Sequence, residues 1–398
     1  MIAANNQQDY SMLNAPIALR RFILSACIAV SAALASSVAR GGGFEGVPLR
    51  VVTFNVKEGV GAPGSSSFNV IGDFLTTVTQ NPGSGNTGLN PDIVALQECR
   101  SDANLLAFRD QFLPGYTYHR TNLADFGGNF NAFFVRGDLN VVHVLERFIG
   151  GPRNLLRLVI EVPGAGNLLA VYNVHFKAFG DQQSQNQRRL NAIESGIFVY
   201  NDLTLGLDLT GDNIRETPPP YGIFMGDLNS NNNFDGTITN LFTHINLGVP
   251  TGILNLPVES IGGAMSGGQP FIATFPGSNA RLDYICLDNE LASVFDANGD
   301  GQFSQDELNS MGFVYYSGDD QGAQSNGNAS ATSFASDHRP VVFDVYLPLA
   351  AQPCPGDVNG DGIVDFADLS AVLGEFGAAF DFADLSAVLA NFGADCNA

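Results

Sequence analysis

Six short blocks of the sequence set a carboxylate, an amide or an imidazole at the end of an apolar run. Asn55 follows Arg50-Val-Val-Thr-Phe, and Glu98 follows Asp92-Ile-Val-Ala-Leu-Gln. Asn173 and His175 end Val171-Tyr-Asn-Val-His, and Asp227 and Asn229 follow Phe224-Met-Gly. Asp283 sits in Arg281-Leu-Asp-Tyr-Ile, and Asp337-His338 precedes Pro340-Val-Val-Phe. A buried strand has no structural need of a carboxylate, and desolvating one without a partner is costly. If these tips converge, they offer hard oxygen donors for a cation such as Mg²⁺ and groups that move protons. Each block is a weak signal by itself. His175 alone is as readily a core histidine, and Asp344 is an acid in a strand with no block around it. His119, His143 and His244 match no block and are read as structural. Arg281 and Lys177 flank blocks, where substrate contact and a structural role fit equally well.

The elements that must carry these residues are strands. Runs at 50–56, 92–98, 131–136, 140–147, 155–162, 168–175, 221–226, 281–286 and 339–346 have strand character, and helical patterns lie near 69–79, 102–112 and 185–203. Continuous apolar runs such as Ile93-Val-Ala-Leu96 and Tyr221–Met225 suit strands buried on both faces. The mixture argues for packed sheets with helices outside them.

Taken in order, the Phe-Asn, Gln-Glu, Asn-x-His, Gly-Asp-x-Asn, Asp-Tyr-Ile and Ser-Asp-His blocks resemble the endonuclease/exonuclease/phosphatase superfamily, which includes DNase I-like nucleases, sphingomyelinases and inositol phosphatases. The resemblance spans residues 48–347. It implies an α/β fold, a four-layer αββα sandwich of two mixed β-sheets, with the site at one edge of both. It also implies roles. Glu98, with Asn55 and Asp337, would hold Mg²⁺ (or Mn²⁺), and Asp283 would orient His338. Asp227 would orient or deprotonate the attacking water, and Asn229 and His175 would bind phosphate. Whether Asp227 or His338 is the general base stays open, because geometry decides it.

Two further segments read as calcium loops. Asp296-Ala-Asn-Gly-Asp-Gly-Gln-Phe-Ser-Gln-Asp-Glu307 fits an EF-hand loop, with oxygens from Asp296, Asn298, Asp300, Gln302, Ser304 and Glu307 and the turn at Gly301. It is a lone loop, so a structural Ca²⁺ is expected rather than a sensor. Beyond a linker at 348–356, residues 357–398 form a small α-helical tail. Asp357, Asn359, Asp361, Ile363, Asp365 and Asp368 resemble the first Ca²⁺ repeat of a dockerin, a module whose partners are cohesins. The helix 365–377 recurs at 381–393 with 11 of 13 residues identical, but no Asp-x-Asn-x-Asp-Gly precedes the second copy. A cohesin or cell-surface partner is thus an open expectation. Packing of Phe382, Leu385, Leu389 and Phe392 on the first helix is expected to hold the second. Cys354 and Cys396 bracket the tail, where a disulfide is expected; Cys99 and Cys286 read as buried thiols.

Composition bounds the rest. The 398 residues are 45% hydrophobic and 15% charged, which excludes wholesale disorder. Residues 1–39 read as an export signal and its lead: Arg20-Arg21, the apolar stretch Phe22–Ala35, and a small-x-small site at Ser37-Val-Ala39. The paired arginines fit the twin-arginine route, and Met12 is an alternative start. A secreted, cell-surface or periplasmic protein is expected, with no transmembrane segment once the signal is removed. The net charge is −22 for the whole chain and −23 without residues 1–39. That field repels nucleic acid at long range, so a phosphate substrate must be held by local contacts and metal. An extracellular nuclease is the leading expectation. A sphingomyelinase-like lipid phosphodiesterase is the rival, weakened by the absence of tryptophan; a non-catalytic, calcium-stabilised binding protein is the third reading.

Overall fold

The computed structural model describes residues 46–76, 88–212, 214–231, 234–244, 249–250, 264–266, 269–271, 273–296, 298–299, 312–315, 335–350, 354–359 and 363–394. The export signal, Asp300, Gln302, Ser304, Glu307, Asp361 and Cys396 lie outside them. The strands are β1 (Val47–Asn55), β2 (Ile93–Cys99), β3 (Thr117–Arg120), β4 (Phe130–Val135), β5 (Asn140–Arg147), β6 (Leu155–Glu161), β7 (Leu169–His175) and β8 (Tyr221–Asp227). Two short hairpins follow, β9 (Thr243–His244) with β10 (Val249–Pro250) and β11 (Ala264–Ser266) with β12 (Gln269–Phe271), then β13 (Asp283–Leu287), β14 (Gly312–Val314) and β15 (Val341–Leu347).

They build two mixed sheets. The first runs β14-β15-β1-β2-β4-β3 and the second β13-β8-β7-β6-β5. Each contains one parallel pair, β1–β2 and β7–β8; the other pairings are antiparallel. A parallel pair needs a crossover, supplied by helix α1 (Ser66–Thr76) and by α3 (Gln182–Leu205). Helix α2 (Asp102–Phe112) joins β2 to β3.

Alternation along the strands sorts side chains into layers. Val51, Ile93, Ala95 and Phe133 face Leu158, Val171, Ile223 and Ile285 between the sheets. Their neighbours Val52, Val94, Leu96 and Phe134 face outward under α1 and α2, against Phe68, Ile71, Phe74 and Phe108. Val159, Tyr172 and Phe224 meet Ala192 and Val199 of α3 on the far face. The four-layer order expected from the sequence is the order found.

At the end where β1, β2, β7 and β8 finish, the seam between the sheets turns polar. Gln97 Nε2 donates to Asn173 Oδ1 at 2.8 Å and to Thr53 Oγ1 at 3.0 Å. Asn173 Nδ2 donates back across the seam to the carbonyls of Leu96 (3.0 Å) and Ala132 (2.9 Å). Gln97, Asn173 and Thr53 are fully buried.

In the tail, α6 (Phe366–Gly374) and α7 (Phe382–Asn391) follow a shorter α4 (Thr237–Phe242) and α5 (Asn289–Ser293) in the chain. The expected packing of α7 is corrected here. Val364, Val372 and Val388 are the buried residues, with Leu385 packed beside them; Phe392 meets Phe366 of α6 edge-to-face at 4.9 Å while staying partly exposed, Phe382 meets Phe376 beyond the end of α6, and Leu389 is exposed. Nor does the second helix need a metal to fix its start. Asp381 and Asp384 form a capping box identical in kind to that of Asp365 and Asp368 on α6. Cys354 is disulfide-bonded, and Cys99 and Cys286 are buried free thiols.

The seam yields a stability prediction. Asn173→Leu removes the acceptor that the Gln97 amide uses across the seam and the side-chain donor to two strand carbonyls in a dry interface. It should cost at least ~2 kcal/mol in urea unfolding, since each unsatisfied buried group costs ~1–3 kcal/mol. An unchanged midpoint would mean that the amide is not holding the sheets.

Candidate active site

The parallel pairs end at one common edge. Asn55 closes β1, Glu98 lies near the end of β2, and His175 and Asp227 face each other in register at the ends of β7 and β8. Binding crevices form outside the carboxyl ends of parallel strands, and here two such ends coincide. The register between β2 and β4 shifts between Leu96 and Cys99, a bulge that re-aims Glu98. Glu98 (φ 58°), Asn229 (φ 51°), Lys57 (φ 42°) and Glu58 (φ 64°) all hold left-handed backbone, a cluster of strain of the kind found at functional sites. Gly226 lets β8 approach β7 just before Asp227: a Cβ there would lie 2.0 Å from the carbonyl oxygen of Val174.

Four of the expected residues, Asn55, Glu98, Asp227 and Asn229, form one hydrogen-bonded group, and Asp283 with His338 forms a pair beside it. Asn55 Nδ2 donates to Asp227 Oδ2 (2.9 Å) and to Glu98 Oε1 (3.2 Å). Asn229 donates its backbone N–H to Asp227 Oδ1 at 2.8 Å. His338 Nδ1 pairs with Asp283 Oδ2 at 2.7 Å, and His338 Nε2 lies 3.8 Å from Asp227 Oδ2. A single oxygen atom can bridge that last gap by bonding to both. The loop carrying His338 is tied to the site by Ser336 Oγ, which donates to the Asn55 carbonyl (2.7 Å) and accepts from the His338 N–H (3.1 Å).

Electrostatics divides the two histidines. Burial alone would strip the proton from His338, but the charges of Asp283 and Asp227 and the hydrogen bond to Asp283 outweigh it and raise its pKa. Burial, with the Arg153, His338 and Lys177 charges, pushes His175 well below the usual imidazole range. Asp227 is pushed up by burial and by the negative charge of Asp283. One imidazole is thus held charged and the other neutral within the same cluster.

His175 is buried, its Nε2 3.5 Å from Asp227 Oδ2 and 3.8 Å from Glu98 Oε1. Among the described residues neither of its ring nitrogens has a hydrogen-bond partner. An orphaned buried nitrogen beside two carboxylates leaves hydrogen-bonding capacity for a bound group. Glu98, Asp227, Asp283 and Asp337 crowd the edge, and their hard carboxylate oxygens suit a divalent cation. Asp227, Asp283 and His338 also lie close enough together to hold an ion. With Nδ1 of His338 occupied by Asp283, that trio reads better as a proton-handling chain, and Glu98 as the cation's anchor.

Three features were not expected. Asp337 pairs with Lys57 Nζ at 2.9 Å, and that hydrogen bond and charge raise the lysine's pKa. Lys57 stands two residues beyond Asn55, a spacing that could have drawn attention to it. Asn229 gives its amide to the Phe176 carbonyl (3.3 Å), so its bonds here position Asp227; a second amide hydrogen remains for phosphate. Arg281 is buried with its guanidinium 4.9 Å from the Tyr284 ring, and Lys177 lies 4.7 Å over Phe179.

The calcium residues are only partly in view. Asp296 Oδ1 accepts the Gly299 N–H at 2.8 Å, as the entry of a tight loop requires. Asp368 is buried, and its carboxylate accepts backbone N–H groups of Val358 (2.8 Å), Asn359 (3.1 Å) and Asp365 (2.9 Å), closing the 357–368 loop on itself.

Against known proteins, the sequence matches the Endonuclease/Exonuclease/phosphatase family over residues 52–338. Similar solved structures include truncated Caenorhabditis elegans TDP2, at 17% identity over 76% of this chain and 99% of that one, with a TM-score of 0.46. A Bacteroides thetaiotaomicron endonuclease/exonuclease/phosphatase family protein has 16% identity, 77% and 100% coverage and a TM-score of 0.45. D. rerio TDP2 complexed with single strand DNA product has 16% identity, 75% and 98% coverage and a TM-score of 0.45. No curated protein sequence matches this chain.

The Asp283–His338 bond can be tested by itself. Asp283→Asn keeps the shape but removes the charge that holds the imidazole protonated and oriented. Turnover of a phosphodiester should fall at least ~100-fold, the scale of losing a positioned acid–base group. Wild-type turnover in Asp283→Asn would dissolve the pair as a functional unit.

Proposed function

Since this chain belongs to the Endonuclease/Exonuclease/phosphatase family, we propose that it is a divalent-metal-dependent phosphodiester hydrolase, exported from the cell and stabilised by Ca²⁺. One observation carries the reading: Asn55, Glu98, His175, Asp227 and the Asp283–His338 pair meet at a single sheet edge. A binding protein without catalysis would have no use for a buried acid–imidazole chain beside an unpartnered histidine.

Glu98 would anchor Mg²⁺ or Mn²⁺, with Asn55 beside it and Asp337 able to join by releasing Lys57. The ion, when bound, polarises a phosphoryl oxygen and stabilises charge in the transition state. The chain's own residues do the rest. Neutral His175 donates a hydrogen bond from Nε2 to a phosphoryl oxygen. Asp227, pinned by Asn55 and the Asn229 N–H, takes a proton from the attacking water at Oδ2. His338, held at Nδ1 by Asp283, presents a charged Nε2–H to the phosphoryl group. The water oxygen joins phosphorus, the ester P–O bond breaks, and the departing alkoxide takes a proton from solvent while Asp227 returns its own, leaving a phosphomonoester and an alcohol.

Nucleic acid is the substrate class expected from the sequence. One feature favours the lipid alternative: the phenylalanines exposed at the same edge, in a chain of net charge −22. Purified protein should be assayed on DNA, RNA, sphingomyelin and bis-p-nitrophenyl phosphate, with and without Mg²⁺. Glu98→Ala and His338→Ala should each lower turnover at least ~100-fold, and EDTA should abolish it. Full activity in excess EDTA, or in both variants, would falsify the proposal.

For Ca²⁺, metal-stripped full-length protein titrated by calorimetry should give two sites. Asp296→Ala should remove one and Asp357→Ala the other, since each deletes the first ligand of its loop. Heat that is unchanged in both variants would take calcium away from these loops.

A further inference from the structure

Lys57 reaches the acidic cluster from a backbone held against its preference. It and Glu58 both take left-handed φ, 42° and 64°, which is costly for a residue with a Cβ. The turn is pinned where it stands. Val56 N–H donates to the Gln97 carbonyl (3.1 Å), and Lys57 N–H donates to Asn55 Oδ1 (3.0 Å). Glu58 pairs with Arg100 (3.1 Å), which also donates to Asn129 Oδ1 (2.8 Å). Asn55 is the same side chain that donates to Asp227 and Glu98, so the turn and the cluster share one amide. From this turn the Lys57 side chain runs to Asp337, its Nζ 2.9 Å from Oδ2, and the negative charge of Glu98 acts on it as well.

Neither partner needs that ion pair to hold its place. The turn has the bonds just named, and Ser336 already ties the Asp337–His338 segment to the Asn55 carbonyl. The lysine and aspartate side chains are 55% and 39% exposed, and a pair so open to water is weak. A weak pair beside Glu98 is easily exchanged. A divalent cation has twice the charge of an ammonium, and once it takes Asp337 it also repels Nζ. The backbone at Lys57 stays fixed, so the flexible four-carbon stem swings the ammonium within the mouth of the site.

A phosphodiester group carries one negative charge spread over two non-bridging oxygens. One of them is the metal's partner, and the other is open to donors from the mouth. A freed ammonium, a compact charge with three donors, suits it. Resting on the phosphodiesterase reading above, we infer that Lys57 is a substrate-contacting residue held in reserve: Asp337 occupies its ammonium until the metal takes the carboxylate, and the released Nζ then binds a non-bridging phosphate oxygen. Metal and phosphate thereby favour each other's binding, each by the same factor.

Removing the carboxylate should mimic the metal. In full-length protein without Mg²⁺ or Mn²⁺, Asp337→Asn should bind inorganic phosphate at least ~5-fold more tightly than wild type in calorimetry, the scale of an ordinary coupling between sites. The double variant Lys57→Met/Asp337→Asn should lose that gain. Lys57→Met alone, checked for an unchanged melting curve, should move two affinities in opposite directions. The Mn²⁺ ion that Glu98→Ala abolishes, followed by electron paramagnetic resonance, should bind at least ~5-fold more tightly, because nothing competes for Asp337. Inorganic phosphate should bind the Mn²⁺-loaded variant at least ~5-fold more weakly than the loaded wild type. An unmoved Mn²⁺ affinity in Lys57→Met, both affinities falling together, or a phosphate gain in Asp337→Asn that survives loss of the lysine would overturn the inference. Wild-type hydrolysis of bis-p-nitrophenyl phosphate with these affinities unmoved sinks the lysine's role alone. The opposed shifts without hydrolysis of any phosphodiester sink the reaction instead and leave the lysine's role standing.

Discussion

The site depends on how far apart two sheets are held at the one end where their parallel strands finish. Along most of the seam that spacing comes from apolar side chains, which tolerate small slips. At the functional end it comes from the interlocked amides of Gln97 and Asn173, whose bonds have fixed length and direction. Asn173 precedes His175 by two residues on the same face of β7, and Gln97 immediately precedes Glu98. A shift of the amide pair would move the imidazole and the carboxylate with it. Directional bonds in a dry interface convert the fold into a catalytic geometry that hydrophobic packing alone would leave loose.

That rigidity allows carboxylates to be crowded. Asp227 and Asp283 are both buried, and each repels the other's ionised form. The arrangement is tolerable because Asn55, the Asn229 N–H and His338 supply donors on different sides, and because a divalent cation would complete the balance at Glu98. Lys57 occupies part of that role through Asp337. The lysine is half-exposed and flexible, so the carboxylate can exchange an ammonium for a metal at modest cost, whereas Asp283 has no such freedom.

The sequence was most legible where one residue type has one physical use. Apolar runs ending in polar groups located the main strands and their tips, because a buried run has few alternative structures. The strands missed were β3 and β14 at the sheet edges and the four strands of the hairpins β9–β10 and β11–β12, all too short for a continuous apolar signature. The tail erred in a different way. The spacing of Phe382, Leu385, Leu389 and Phe392 reads as a packing stripe, yet two short helices bury only what lies on their contact line; valines occupy it, and of the phenylalanines Phe392 reaches the first helix, at Phe366. The duplicated Asp381 and Asp384 carried the information instead, as caps. Lys57 and the arginines of the site loops were illegible because their partners, Asp337, Asp125 and Asp235, are distant in sequence.

Helix α3 shows why the bracing of the site loops in particular could not be read from periodicity. Its buried face holds Arg188, Asn191, Ser195 and Asp202 among the apolar residues, a pattern that a hydrophobic-stripe reading counts as noise. Those polar groups are buried because they have partners: Arg188 and Asn191 take the carbonyls of site loops, and Asp202 takes Arg157 at 2.7 Å beneath the sheet. The same helix that makes β7 and β8 parallel therefore also braces the loops that follow them.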